Sequence, residues 1–410
     1  MSACKRSGPI KRPSEVCSIG PCARDARLRL LRNPPSWRKW VFGLAAVCLL
    51  ALAGCTLPPP YGGTRPLVKI GLAAPFEGLD RPLGYEALQG VKLALAERNA
   101  AGGVGGSMVE LVALNDSGEP GEARRQASEF AADPAVMGVV TGWSTETARA
   151  ALPAYREKGL AVAVPWSVPA ELADRPAGVV LVAADVERAA EALAGAVAEA
   201  GPPRRLVVVG QEPGAAPYAE ALSNLGLAAQ TIPPPGDAPQ AWAFRLTQSR
   251  MQPPQALVLT TGGAAAGEAL LALSALGWNG ATYGGVDAGD VQLVNVAGAA
   301  ADGLTLVSPA PAGRDAPGSY ADLGPRAVLA YDATQVLLDA LELAGRQDGQ
   351  ITRRGIITAL AGARRRGLTG DITLDASGRR VDAPLWLYQI AGASYPGQLK
   401  SKQGNAATGR

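Results

Sequence analysis

From Leu67 onward, short apolar runs alternate with longer stretches in which apolar residues recur every three or four positions. The short runs predict buried strands, and the periodic stretches predict amphipathic helices. In the first half this gives strands at 68–73, 108–114, 136–140, 160–164 and 179–183, with helices at 85–100, 121–132 and 145–158. Such alternation is typical of βαβ units, so we expect an α/β fold with a parallel sheet covered on both faces.

A second series of the same kind follows residue 184. We predict strands at 205–209, 227–232, 256–260, near 282 and at 303–307, and helices at 185–200, 217–225, 241–249 and 264–276. Long helices at 325–344 and 352–361 and a β-rich segment at 370–390 complete the pattern, and residues 393–410 are expected to form a flexible tail. Two α/β units in one chain leave a cleft between them, where ligands usually bind.

One junction in the first series carries candidate chemistry. The strand at 136–140 ends in Thr141-Gly142-Trp143, and Ser144, Thr145 and Thr147 follow at a predicted helix start. Free N–H groups and the positive end of the helix dipole suit a carboxylate or another polar anion there. The alternative is ordinary capping, because Ser and Thr are preferred N-cap residues in any helix.

The N-terminal segment has a separate character. A basic flank precedes the apolar run 40–53, which is too short to span a bilayer and resembles a signal-peptide core. It closes on Leu52-Ala53-Gly54-Cys55, which resembles the lipobox of bacterial lipoproteins and implies lipidation of Cys55. We therefore interpret 1–54 as a leader and lipoprotein signal peptide and 55–66 as a Pro/Gly-rich tether, which implies an extracytoplasmic protein anchored by lipid.

Charge and composition narrow the function classes. The chain carries a formal net charge of +3, but residues 1–54 hold ten Lys or Arg against two acids (10 − 2 = +8), which leaves 3 − 8 = −5 for the rest. A mildly acidic body does not favour nucleic acid. The chain has no His, and its five cysteines all lie at or before Cys55, so His-dependent triads and thiolate metal clusters are excluded from the body. We expect no enzyme activity, no metal and no cofactor.

Several segments, in this order, carry a family resemblance: Val68-Lys-Ile-Gly, Gly90-Val-Lys-Leu-Ala, Leu114-Asn-Asp-Ser, Asn295-Val-Ala-Gly, Tyr331-Asp-Ala and Gly370-Asp-Ile-Thr-Leu-Asp-Ala-Ser-Gly. From Leu67 to about Ile390 the chain resembles type I periplasmic binding proteins of the branched-chain amino acid (Leu/Ile/Val) class. The resemblance implies two Rossmann-like lobes joined by a three-strand hinge. Lobe one is expected at 67–183 plus 309–366, and lobe two at 184–308 plus 367–392.

The resemblance also implies ligand-binding residues: Ser144, Thr145, Thr147, Trp166, Ser167 and Asp287. The three hydroxyls fall on the loop that holds the ligand carboxylate in the family, and Trp166 and Ser167 lie on the next binding loop. Trp166 is either a stacking wall or a core residue. Asp287 lies one residue from the position of the family's ammonium-binding acid, which is Val286 here, and is otherwise a solvated loop residue. Val168 replaces a family Thr. With Val286 at the acid's position, a bound ammonium would have no carboxylate partner, which argues against an ordinary zwitterionic amino acid.

Two functions remain open at this stage. The first is a monomeric solute receptor that closes on a small polar or anionic ligand, such as an amino acid-like compound, an amide or an organic acid, and presents it to the permease and ATPase subunits of an ABC importer. Hinge closure of this kind requires a ligand that contacts both lobes. The second is a ligand-free structural or regulatory envelope lipoprotein with the same fold.

Overall fold

The computed structural model describes residues 65–234, 241, 254–316 and 320–404. The predicted leader and signal peptide, Cys55, nearly all of the tether and most of the predicted helix at 241–249 lie outside the described residues. Among the residues that are described, no helix combines the length and apolarity needed to cross a bilayer.

The described strands, in chain order, are β1 (Leu67–Ala74), β2 (Met108–Asn115), β3 (Val136–Val140), β4 (Ala161–Val164), β5 (Val179–Leu181), β6 (Leu206–Val209), β7 (Ala229–Ile232), β8 (Ala256–Leu259), β9 (Ala281–Gly284), β10 (Thr305–Ser308), β11 (Arg364–Gly367), β12 (Gly370–Thr373), β13 (Leu385–Ala391) and β14 (Ser394–Gln403). The α-helices are α1 (Arg81–Ala100), α2 (Pro120–Ala132), α3 (Thr145–Glu157), α4 (Val186–Glu199), α5 (Ala216–Asn224), α6 (Gly263–Ala275), α7 (Val291–Ala297), α8 (Pro325–Asp348) and α9 (Arg353–Leu360).

Lobe one is built on a five-stranded parallel sheet with the order β2-β1-β3-β4-β5. Strands β3 and β4 are apolar throughout because helices cover both faces of the sheet. Helices α1, α8 and α9 pack on one side, and α2 and α3 on the other. Helix α8 packs against α1 and is buried along most of its length. The helix pair approaches closely at Gly90, where a Cβ atom would lie 2.0 Å from the carbonyl oxygen of Ala327.

Lobe two has a seven-stranded sheet with the order β14-β13-β10-β9-β8-β6-β7. Strands β6 to β10 run parallel, while β13 is antiparallel to β10 and β14 is antiparallel to β13. Helices α4 and α5 contact each other, as do α6 and α7, and the core of this lobe lies between the helix pairs and the sheet.

The chain crosses between the sheets three times, at 182–185, within 309–324 and at 374–384. A buried network ties two of these crossings together. Arg380 of the third crossing donates to the carbonyl oxygen of Val182 in the first (3.3 Å) and to Thr369 Oγ1 (2.6 Å). Thr369 in turn donates through its amide and hydroxyl to the Asp332 carboxylate of α8. The predicted fold, two Rossmann-like lobes joined by a three-strand hinge, is confirmed.

The structure differs from expectation near the C-terminus. Residues 394–403 form strand β14, whereas the sequence pattern predicts a flexible tail from 393 onward. Most of its side chains are exposed, and Lys400 and Lys402 lie in its C-terminal half. Exposed Lys residues are typical of an edge strand. The polar, exposed composition of this edge strand is why its sequence resembles that of a solvated tail.

The expected lobe boundary at 366/367 falls inside the β11–β12 hairpin, whose strand β11 packs against α8.

Candidate functional site

Both lobes contain a topological switch point, the position in a parallel sheet where the strand order reverses direction. In lobe one it lies between β1 and β3, and in lobe two between β6 and β8. The chain leaves the sheet on opposite faces at such a point, so the loops after the two strands diverge and open a crevice at the carboxyl ends. The loops concerned are 75–80 and 141–144 in lobe one and 210–214 and 260–262 in lobe two.

The loops at the two switch points line one cavity of about 600 Å³. Lobe one contributes wall residues that include Pro75, Asp80, Asp116, Trp143, Ser144, Glu146, Thr147 and Arg326. Lobe two contributes Gln211, Gly214, Thr260, Thr261, Gly262, Asp287 and Asp290. A cavity of this size is ordinary for a site that takes a small organic molecule. We take it as the candidate functional site.

Ser144 and Thr147 line the cavity wall, and they also hydrogen-bond to each other. Ser144 is the N-cap of α3: its Oγ accepts from the Thr147 amide at 3.2 Å, and the two hydroxyl oxygens lie 3.0 Å apart. Both alternatives for this helix start therefore have support, since the cap is formed and the same groups line the cavity. Thr145 is buried and does not reach the wall.

Trp166 and Ser167 are buried behind the cavity wall. Their exposed fractions are 1% and 2%, and neither side chain lines the cavity. The Arg326 guanidinium stacks on the Trp166 ring, 4.0 Å from its centroid. The indole therefore supports a cavity residue by a cation–π contact, and its position matches the core alternative.

Arg326 is a site residue that the sequence analysis missed. It lies in the first turn of α8, is 2% exposed, and donates from Nη1 to the carbonyl oxygen of Gly289 in lobe two at 3.0 Å. Its backbone amide donates to Glu86 Oε1 of α1 at 2.7 Å. The available signal was a charged residue in the apolar first turn of α8, but its partners come from distant parts of the chain.

Carboxylates dominate the charge of the cavity wall. Asp80 and Asp116 lie on lobe one loops, Glu146 lies in the first turn of α3, and Asp287 and Asp290 lie on lobe two. Asp290 caps α7 by accepting from the amides of Gln292 and Leu293, and it also accepts from the Gly263 amide. It is therefore held in place by backbone donors of its own lobe.

Two of these carboxyls have strongly raised pKa values. Burial raises the pKa of Asp116 to about 6, and the charge of Asp80 adds to the rise, while the Gly118 amide opposes it. Burial also raises the pKa of Asp287 to about 6, followed by the charge of Glu146 from the other lobe, and Arg326 and the Trp166 indole act in the opposite direction. Perturbed groups in a cleft are typical of functional sites.

Contacts between the lobes flank the cavity. Gln292 of α7 donates from Nε2 to the carbonyl oxygen of Leu79 at 2.8 Å, and Arg326 reaches Gly289 as described above. The Leu79 side chain is 74% exposed at this edge. The described residues contain no group of three or more Asp, Glu, Cys or His side chains arranged to hold a metal ion.

Comparisons with known proteins agree with this architecture. Residues 67–395 match the model of a family described as periplasmic binding protein. Leu/Ile/Val-binding protein homolog 2 of Brucella abortus is 30% identical over 120 residues, which make up 29% of this chain and 30% of that protein. The chain matches about a third of the length of its curated relatives.

Solved structures show the same fold. A leucine binding protein from Thermotoga maritima has a TM-score of 0.73 at 20% identity, over 82% of this chain and 99% of that one. A solute binding protein of an ABC transporter from R. palustris, in complex with benzoate, has a TM-score of 0.68 at 20% identity, over 82% and 95% of the two chains.

Proposed function

This chain belongs to the periplasmic binding protein family, and from that premise we propose that it captures a small polar solute in the cavity between its lobes and delivers it to an ABC importer. The similar structures are solute-binding proteins of ABC transporters rather than enzymes, and those named above are described as a leucine binding protein and a benzoate complex. Capture requires a space that both lobes line.

The observation that carries this proposal is the single cavity at the two switch points. It is about 600 Å³ in volume and has polar wall residues from both lobes, including Ser144, Glu146, Thr260 and Asp287. A ligand that contacts both walls binds the closed arrangement better than an open one, so it shifts the lobes toward closure. A ligand-free structural lipoprotein does not need such a space.

The solute class expected from the sequence was polar or anionic: amino acid-like compounds, amides or organic acids. Glu146 already places a carboxylate in the first turn of α3, where the helix dipole favours negative charge. This lowers the attraction of the helix start for a second anion. Within the expected classes, the wall therefore favours solutes that carry an ammonium group over simple organic acids.

The test is a ligand screen on a purified protein that begins at Leu67. Amino acids, amides, diamines, organic acids and aromatic acids are each added at millimolar concentration, and thermal unfolding is measured. A ligand at 100 times its Kd stabilises the folded state by about 2.7 kcal/mol, which shifts Tm by several degrees. A screen in which no solute moves Tm contradicts the proposal and favours the ligand-free alternative.

We also propose that Cys55 carries a lipid anchor that holds the protein outside the cytoplasmic compartment. The support is the sequence Leu52-Ala53-Gly54-Cys55 after an apolar run, together with the extracytoplasmic role of the family. The expected result is that the full chain, expressed in a bacterial host, partitions with membranes and that Cys55→Ala prevents lipid labelling. Equal labelling of both proteins would contradict the anchor.

A further inference from the structure

The charge of the cavity wall is unbalanced. Five carboxylates from both lobes line it: Asp80, Asp116, Glu146, Asp287 and Asp290. Among the described wall residues, Arg326 is the single basic side chain. A wall of this composition creates a negative potential inside the cleft, which attracts cations and disfavours anions.

Arg326 is engaged by protein groups on one face of its guanidinium and through Nη1, while its buried Nε has no hydrogen-bond partner among the described residues. One face of its guanidinium lies on the Trp166 ring, and Nη1 donates to the Gly289 carbonyl oxygen of lobe two. Its positive charge also acts on neighbouring acids, since it opposes the rise in pKa that burial causes in Glu86, Asp287 and Asp290. The side chain therefore acts as a structural counter-ion for carboxylates that surround it.

Glu146 and Asp287 form a like-charged pair across the cleft. Glu146 projects from the start of α3 in lobe one, and Asp287 lies in a short 3-10 helix that follows β9 in lobe two. Glu146 has no hydrogen bond or ion pair with any described residue, and its charge is close enough to Asp287 to raise the pKa of that carboxyl. Without a ligand, bringing these groups together costs free energy.

The wall is suited to an organic cation rather than a metal ion. Within the described part of the chain, no set of three acidic, Cys or His side chains is arranged around a point that a metal could occupy. Apolar side chains also line the cavity, among them Pro75, Leu83, Trp143 and Ala265. A hydrocarbon portion bearing a charged end matches this mixture of apolar and carboxylate surface.

We propose that the solute is a small organic cation whose ammonium or guanidinium group lies between Glu146 and Asp287 and joins the two lobes. This proposal rests on the proposed function and specifies the ligand class of the same cavity. A cation placed there replaces a repulsion between lobes by two attractions, so its binding favours closure. Basic amino acids and short diamines have the required chemistry.

Isothermal titration with matched solutes tests the ligand class. Pentylamine, pentan-1-ol and pentanoate share one carbon chain and end in a cation, a neutral hydroxyl and an anion, and 1,4-diaminobutane is compared with 1,4-butanediol. We expect a cationic member to bind on the order of 10- to 100-fold more tightly than its neutral partner, as for hydrogen bonds to charged groups. Calcium and magnesium chloride serve as inorganic controls, and no binding of either is expected.

Substitutions locate the cation. Glu146→Gln and Asp287→Asn should each weaken binding of the cationic solute by roughly 10-fold or more. Glu220→Gln on the exposed surface of α5 is the matched control and should leave affinity unchanged. Thermal unfolding of each variant confirms that the lobes still fold.

The outcomes separate the two levels of the proposal. If a neutral or anionic solute binds as tightly as its cationic partner, the cation proposal is wrong while solute capture stands. Unchanged affinity in both Glu146→Gln and Asp287→Asn likewise overturns the placement of the cation. If no organic solute binds in either this series or the wider screen, both proposals fail together.

Discussion

At the scale of single residues, Asp116 and Asp287 hold carboxyl groups where burial disfavours their charged form. Burial first, and then a nearby acid, raises each pKa from the ordinary 3.8 to about 6. A buried carboxylate that must ionise at neutral pH lowers the free energy of unfolding of the ligand-free protein. Proteins keep such destabilising groups where function requires them. From sequence alone Asp287 was either a ligand-binding or a solvated loop residue, and Asp116 was not singled out as a site residue, because a loop Asp is most often solvated.

The raised pKa values predict the direction of a pH effect. An acid with a higher pKa in the folded state binds protons more readily when folded, so its contribution favours folding as the pH falls from 6 toward 4 and is lost as the pH rises through 6. A shift of two units corresponds to about 3 kcal/mol. The groups that face Asp287 and modulate its charge are Glu146, Asp290, Arg326, Trp166 and Tyr218.

Asp287→Asn should therefore stabilise the ligand-free protein at pH 7 by up to about 3 kcal/mol and leave it nearly unchanged at pH 4. Urea unfolding of both proteins at the two pH values measures this difference. Glu220→Gln, on the exposed face of α5, should show no such dependence. A variant that is less stable than the parent at pH 7 would show that the Asp287 carboxylate has a net structural role.

At the scale of elements, the crossing of α1 and α8 determines where Arg326 lies. Gly90 allows the two helices to approach so closely that a Cβ atom would be 2.0 Å from the Ala327 carbonyl oxygen. The amides of Arg326 and Ala327 both donate to Glu86 of α1. The packing of α1 against α8 thus fixes the position of Arg326, whose side chain reaches lobe two.

Gly90→Ala should destabilise the protein by about 1–3 kcal/mol, because the added methyl group forces the helices apart. Gly195→Ala is the matched control: it lies within α4, nothing lies within 4 Å of its added Cβ, and it should stabilise by about 0.5–1 kcal/mol. Thermal or chemical unfolding measures both changes. Equal stabilisation by the two substitutions would contradict the close approach at Gly90.

At the scale of the whole molecule, the hinge contains a buried charged network as well as backbone crossings. Asp332 of α8 is fully buried and accepts from Leu368 and from Thr369, and Arg380 binds Thr369 and the Val182 carbonyl oxygen. The network links α8 to the first and third crossings.

Arg380→Met should destabilise the protein by about 3–5 kcal/mol, because it leaves the buried Asp332 carboxylate without its nearby cation. The double variant Arg380→Met with Asp332→Leu should recover part of this loss, since both charges are then removed. Arg354→Met, at an exposed position of α9, is the control. Equilibrium unfolding measures the four proteins, and an equal effect of both arginine substitutions would contradict a special role for Arg380.

The sequence pattern determined the α/β class and the succession of elements. Alternating or continuous apolar runs indicate strands and a 3.6-residue period indicates helices, because each pattern reflects which faces of the element are buried. Ordered motifs such as Val68-Lys-Ile-Gly and Tyr331-Asp-Ala indicated the family correctly. The hydroxyls Ser144 and Thr147 were expected at the site because residues after strand ends gather at one edge of a sheet, and Asp287 was expected there from the family resemblance; all three line the cavity.

Only the tertiary structure decided which of these groups face the cavity and with what partners. It placed Trp166 under Arg326, buried Thr145 and Ser167, and brought Glu146 opposite Asp287 although 140 positions separate them in the chain. Strand β14 likewise became recognisable only through its pairing with β13. Local pattern records the burial of each segment, whereas charge pairing and cavity shape depend on distances between segments, which sequence periodicity does not contain.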